Sequence, residues 1–233
     1  MPTSARTSPI CAPRAAIGYS DSVRGRFVTF EGIEGVGKST QVALAAEWLR
    51  GRGLDVLTTR EPGGTRLAEE LRRLLLDCDH EHIAGTTELL LLFAARASHV
   101  AERIVPALER GQWVLCDRFT DATRAYQGGG RGLPAALIEQ LAAIAHPGLS
   151  PDLTVLLDAP PELALARARI RSSHPDRFEQ EDLGFFARVR AEYLAIAARE
   201  PRRLRTVDAT AGVEAVTRAV AAVLGALLAA SGR

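Results

Sequence analysis

The stretch Phe27 to Gln41 reads FVTFEGIEGVGKSTQ, and Gly32, Gly37, Lys38 and Ser39 within it satisfy G-x-x-x-x-G-K-[ST], the pattern of a loop that wraps a nucleotide's phosphates. The residue types explain the chemistry. Gly32, Gly35 and Gly37 let the backbone turn with its N–H groups inward, and a helix beginning near Lys38 adds the positive end of its dipole. Lys38 reaches the β and γ phosphates as a point charge, and the Ser39 hydroxyl is suited to ligate Mg²⁺. A Gly-rich turn with one solvated lysine is the bland alternative, and composition opposes it. Lys38 is the only lysine in 233 residues, so essentially all of the 29 basic residues are arginine. An ammonium stands at the one place where a compact, flexible cation suits phosphates.

Other chemistry-bearing residues stand where strands should end. Trp113 to Cys116 reads as a buried strand and delivers Asp117 and Arg118, a carboxylate and a guanidinium, to its C-terminal end. Leu54 to Thr59 reads as another strand and delivers the loop Arg60 to Thr65. In doubly wound sheets ligands sit at those ends. Arg167, Arg169 and Arg171, spaced by two, cannot share one face of a regular helix. With Arg177 they suggest a movable lid over about residues 167–178.

The elements that must hold these residues alternate. Strands are expected at Phe27 to Phe30, Leu54 to Thr59, Trp113 to Cys116, Leu153 to Asp158 and Leu204 to Val207. Between and after them, helices are expected over Gln41 to Arg50, Arg66 to Leu76, Thr86 to Arg110, Thr120 to Gln127, Pro134 to Ala145, from Pro161 onward, Glu179 to Arg199 and Val213 to Ala230, with a flexible turn at Gly128 to Gly132. This order predicts a parallel sheet with helices on both faces, in one domain over residues 25–233. Residues 1–24, rich in Pro, Ser, Ala and Arg, read as a disordered tail or the product of an upstream start. Leu89 to Leu92 cover more than one helix face, so part of that helix should meet another element or another subunit.

A net charge of +1 gives no global field toward nucleic acid or an anionic membrane, so small molecules are the expected partners. Ala219 to Ala230 is too short an apolar run to cross a bilayer. Cys11, Cys78 and Cys116 form no C-x-x-C pair, which argues for a reducing compartment, with the cytoplasm as default. The Asp77 to His82 run matches no standard metal site and reads as a polar loop.

Taken together, EGIEGVGKSTQ, TREPGGT, LLFAAR, DRFTDATRAYQGGGRG, PDLTVLLD, DRFEQE and VDAT stand in the order found in thymidylate kinases, and from Arg26 to about Ala230 the chain resembles that family. The resemblance implies a P-loop NTPase-like fold with a five-stranded parallel sheet and a short lid, the transfer of a phosphoryl group from ATP to dTMP with Mg²⁺, and a homodimer. It implies ATP contacts from Gly32, Ile33, Glu34, Gly35, Val36, Gly37, Lys38, Ser39 and Arg167. Glu34 would accept the sugar 3′-hydroxyl, Phe93 would stack on thymine, Arg96 would donate to a thymine carbonyl, and Thr123 with Gln127 would supply polar contacts near the base. Tyr126 would crowd the 2′ position, Arg60 and Arg118 would hold the monophosphate, and Asp117 with Ser39 would position the metal. Some relatives carry an arginine in the phosphate loop where this chain has Gly35, so the charge on the moving phosphoryl is expected from the lid, with Arg171 and Arg177 the leading donors beside Lys38 and Arg118. Ala122 lacks a hydroxyl often found there, and Arg124 is expected to add charge close to the base. Two alternatives remain: a kinase of another nucleoside monophosphate, and a non-catalytic ATP sensor.

Overall fold

A computed structural model describes residues 24–76, 83–171 and 176–230. Five strands form one all-parallel sheet in the order β2-β3-β1-β4-β5, built from β1 (Phe27–Glu31), β2 (Val56–Arg60), β3 (Trp113–Asp117), β4 (Leu153–Asp158) and β5 (Leu204–Asp208). β1 lies at the centre with all five residues buried, which suits its aromatic and β-branched run. The strand order turns about β1, so the crevice at its C-terminal end is the natural ligand site.

Alternate strand residues face different layers. Val28, Phe30 and Leu115 pack with Val42, Ala45, Ala46 and Leu49 of α1 (Lys38–Arg50). Phe27, Val114 and Cys116 meet Val100, Ile104, Ala107 and Leu108 on the other side. Each face is thereby covered, as the alternating sequence predicts.

The expected helix from Thr86 to Arg110 is one continuous rod in three parts: α3 (Gly85–His99), a π-helical turn over Val100–Ile104 and α4 (Val105–Glu109). Leu89 and Leu92 are buried, whereas Leu90 is exposed. That rod packs against α2 (Arg66–Leu76), whose Leu67 and Leu74 are also exposed. After β3 the chain forms the short α5 (Thr120–Thr123) and a second π-helical turn, Arg124–Gly130. Here the expected flexible glycine turn is corrected: Gly128 to Gly130 lie inside the helical coil, and Gly130 abuts the Phe185 ring, which leaves no room for a side chain.

α6 (Ala135–Ala145), α7 (Pro161–Arg171), α8 (Leu183–Arg199) and α9 (Val213–Ala230) complete the fold. α8 starts later than expected because Asp182 caps it, its carboxylate accepting from the Phe185 amide at 2.6 Å. α9 is apolar and, by length and composition alone, long enough to cross a membrane, which corrects the shorter run read from sequence. Its buried residues Val216, Val220 and Leu224 recur every fourth position and join the main core beside α1.

Candidate active site

The phosphate loop is shaped by backbone geometry that its sequence requires. Gly37, which begins α1, has φ 91°, and Gly35 has φ 76°, both in the left-handed region that glycine tolerates. Space adds a second constraint at Gly35. A Cβ there would lie 1.8 Å from the Ala164 carbonyl oxygen of α7, so the close approach of that helix excludes any side chain, arginine included.

Lys38 is not solvent-facing, as a cradle on a surface would suggest, but 8 % exposed. Its Nζ donates to the carbonyls of Gly32 at 3.0 Å and Ile33 at 2.7 Å. Burial lowers its pKa to about 8, with the Arg118 charge adding to the effect. The Ser39 hydroxyl donates to Asp117 Oδ2 at 2.8 Å, joining α1 to the end of β3. A hydroxyl beside a carboxylate at the mouth of a phosphate loop is a donor set suited to Mg²⁺, which takes few protein ligands and completes its shell with water and phosphate oxygens. Among the described residues no cluster of three or more His, Cys, Asp or Glu side chains forms a closed cation cage.

Arg118 is the joint between the loop and the rest of the cleft. Its φ of 72° makes it the single non-glycine residue with a left-handed backbone among those described. The guanidinium donates to Gly32 O, to Glu34 Oε1 at 2.7 Å, and to the hydroxyls of Tyr126 and Tyr193. Tyr126 in turn donates its hydroxyl to Glu34 Oε2, and Tyr193 donates to Glu31 Oε2 at 2.7 Å. Two tyrosine–carboxylate pairs therefore brace one guanidinium. Glu31 also accepts from the Phe119 amide at 2.7 Å, immediately after the strained residue, so it ties down backbone and side chain together. Burial first, and the Asp121 charge second, raise its pKa to about 8.

One cleft, with a cavity volume of about 190 Å³, runs from this loop to α3. It gathers Glu34, Gly35, Gly37, Lys38, Ser39, Asp117 and Arg118 at one end. Arg60 and Arg72 line its flank, Arg60 paired with Glu69 at 2.9 Å and Arg72 donating to Pro62 O. Leu92, Arg96, Ala122, Thr123, Tyr126 and Gln127 line the other end. Arg96, 3 % exposed, is fixed by Glu61 through Nε at 2.6 Å and by Thr123 Oγ1 and Phe119 O through Nη2. Glu61 is itself held by His99, whose other ring nitrogen meets Thr59.

The structure corrects several expectations. Phe93 is buried with Leu89, Ile138 and Ala142, and the Arg96 guanidinium lies 4.8 Å from its ring centroid, while Leu92, one full turn before Arg96, lines the cleft itself. Arg124 is turned outward to Glu139 and Asp121 and leaves the base end uncharged by its guanidinium. Arg177 sits on Leu75 O and pairs with Glu88 at 2.6 Å, away from the phosphate loop, because a buried carboxylate competes for it. Arg167 holds the carbonyls of Ala209 and Thr210, one turn along α7 from the Ala164 contact with Gly35. The side chain of Arg171, residues 172–175, the 77–82 run with Cys78, and the tail with Cys11 lie outside the described residues.

Sequence reasoning missed Arg72, Leu92, Glu31 and Tyr193, and it placed Glu61 in a candidate loop without giving it a role. Arg72 was detectable as a basic residue on the helix that backs the Arg60 loop. Glu31 and Glu61, carboxylates flanking buried strands, had only their improbable burial as a signal.

Comparison with known proteins is consistent with this geometry. The family model described as thymidylate kinase matches residues 30–220. A thymidylate kinase of Chromohalobacter salexigens is 57 % identical over 201 residues, covering 86 % of this chain and 95 % of that protein. One from Alkalilimnicola ehrlichii is 55 % identical over 197 residues, covering 84 % and 91 %. The crystal structure of thymidylate kinase from Ehrlichia chaffeensis superposes with a TM-score of 0.70 at 35 % identity, covering 87 % of this chain and 99 % of that one. With a phosphate loop, an arginine joint and a shaped pocket in one cleft, and with matches of this extent, the chain belongs to the thymidylate kinase family and is an enzyme that phosphorylates dTMP.

Proposed function

We propose that the cleft performs this reaction by positioning two phosphate groups across Arg118, without a covalent intermediate and without a general base. A phosphate oxygen is already a sufficient nucleophile at neutral pH, so the protein aligns donor and acceptor and neutralises charge. ATP lies along the loop from Gly32 to Ser39. Lys38 moves from its carbonyl partners to the β and γ phosphates, and Ser39 with Asp117 would hold Mg²⁺, whose charge would offset that of the phosphates. Arg60, Arg72 and Arg118 hold the monophosphate of dTMP with planar guanidinium forks. Glu34 and Tyr126 contact the sugar, and Leu92, Arg96, Thr123 and Gln127 contact the base. Lid closure brings Arg171 or Arg177 over the transferring group, which for Arg177 requires release from Glu88.

The observation that carries this reading is Arg118, tied to Glu34 of the phosphate loop and to Tyr126 of the pocket wall at once. We further propose a homodimer through the face that exposes Leu67, Leu74 and Leu90, and a cytoplasmic enzyme whose partners are ATP and dTMP rather than nucleic acid or membrane. ADP release is measured in a coupled assay with ATP, Mg²⁺ and each common nucleoside monophosphate in turn. Strong preference for dTMP is expected. Release with a different monophosphate alone overturns the base assignments, and release with none overturns the cleft as a kinase site. Sedimentation showing only a 25.0 kDa species at micromolar concentration overturns the dimer.

A further inference from the structure

Glu88 stands in the first turn of α3, completely buried, and in the reaction as described it serves only as the resting partner of Arg177. Its carboxylate reaches the second π-helical turn and the lid together. Oε1 accepts from Gln127 Nε2 and from Arg131 Nε, each at 2.8 Å, and Oε2 pairs with Arg177 Nη2 at 2.6 Å. Both oxygens of this carboxylate are turned to donors, Gln127 and Arg131 on one and Arg177 on the other. Gln127 must therefore turn its NH₂ group toward Glu88, and its carbonyl oxygen is the half of the amide left for the cleft that Gln127 lines.

Arg96 supplies the complementary half. Its Nε and Nη2 are committed to Glu61, Phe119 and Thr123, but Nη1 is buried and has no protein partner among the described residues. A buried guanidinium nitrogen without a partner is costly, so it points to a ligand acceptor. The base end of the cleft thus presents one donor and one acceptor. A carbonyl beside an imide N–H, as in thymine or uracil, satisfies both. The amine and lone-pair nitrogen on the same edge of cytosine oppose both.

We propose that Glu88 is a specificity-determining residue that never touches the base: it fixes the polarity of the Gln127 amide and so makes the cleft reject cytosine nucleotides. This rests on the assignment of Gln127 and Arg96 to the base. If Glu88 served only as ballast for Arg131 and Arg177, its loss would depress turnover with every acceptor alike. The two roles separate in a ratio measured on one protein preparation, where active fraction cancels.

The test is kcat/KM for dTMP, dUMP and dCMP in the full chain, in Glu88→Gln, in Gln127→Leu and in the double variant. In Glu88→Gln the neighbouring amide is free to flip, and the dTMP-to-dCMP ratio is expected to fall by about tenfold or more. The dTMP-to-dUMP ratio, which this edge does not determine, stays within about twofold. In the Gln127→Leu background, Glu88→Gln leaves both ratios unchanged. A dTMP-to-dCMP ratio in Glu88→Gln within about twofold of the unaltered enzyme overturns the proposal. Unaltered discrimination in Gln127→Leu instead overturns the base assignment on which it rests. Should Glu88→Gln fail to fold because Arg131 and Arg177 lose a buried partner, the charge-balanced Glu88→Gln/Arg131→Gln variant is read by the same ratios.

Discussion

The two ends of the cleft are built in different ways. At the phosphate end one contiguous loop, Gly32 to Ser39, is shaped by its own backbone, and Lys38 reaches back only to Gly32 and Ile33, while Glu34 and Ser39 tie the loop to Arg118 and Asp117 at the end of β3. At the base end the polar groups come from α3, α5 and the second π-helical turn and are held from behind: Arg96 by Glu61, which His99 holds in turn, and Gln127 by Glu88. Backbone recognises charge, which all nucleotides share. In the proposed function, buried side-chain relays read the pattern of donors and acceptors that distinguishes one base from another, and such relays need long-range packing to stay in place.

The largest effect expected from breaking this contrast is at Lys38. Lys38→Ala should lower kcat by about a thousandfold, since no other lysine exists in the chain to replace it. Its melting temperature should not fall, because removing a desolvated cation relieves a burial cost. Near-normal turnover in steady-state assays would place the phosphate chemistry elsewhere. The base end is sharpened by comparing two adjacent residues. Phe93→Ala, a core deletion, should cost about 3–5 kcal/mol in denaturant titrations with little change in KM for dTMP. Leu92→Ala should raise KM for dTMP by about tenfold, the loss expected when apolar contact in a pocket is removed. A reversal of those two phenotypes would restore Phe93 to the base pocket.

A smaller effect is expected from pH. Lys38 is protonated below about 8 and loses its charge above it, so kcat/KM for ATP should fall as pH rises from 7 to 9. In the ATP complex the phosphates favour the charged form, so kcat should hold to higher pH. Glu31 titrates in the same range, and the alkaline limb must therefore persist in Glu31→Gln. Lys38's contribution to folding has the opposite sign. Its folded pKa lies below the ordinary 10.5, so the unfolded chain binds more protons between about 8 and 10.5, and this contribution rises with pH there. The smallest effect is at Tyr193→Phe, which keeps the ring and removes one brace of Arg118. KM for dTMP should rise about threefold to tenfold with KM for ATP unchanged, as expected for one hydrogen bond to a charged group. Equal changes for both substrates would show that Tyr193 acts on the fold rather than on the arginine.

The same contrast explains what could be read in the sequence. The five strands, their parallel order and the phosphate loop follow local rules of periodicity and glycine placement, and the structure has them with boundaries shifted by a residue or two. Asp117 and Arg118 were found because strand ends are visible. Leu92 was passed over because family likeness drew attention to the Phe93 ring, which does stand beside Arg96, whereas the helical spacing of four brings Leu92 to the cleft as well. Arg124 and Arg177 look like available cations in a linear text. The carboxylates that claim them, Glu139 and Glu88, are fifteen and eighty-nine positions away and become neighbours only when α3, α6 and the π-helical turn pack together. Long-range pairing is what periodicity cannot report.

The solitary lysine also makes the protein easy to interrogate without altering it. A lysine-specific protease has one address in the entire chain, at the heart of the phosphate loop, and the ammonium there is sealed against two carbonyls. Scission into a 38-residue piece and its 195-residue remainder therefore clocks local opening of that loop, and a nucleotide that closes over it should slow the clock without any label.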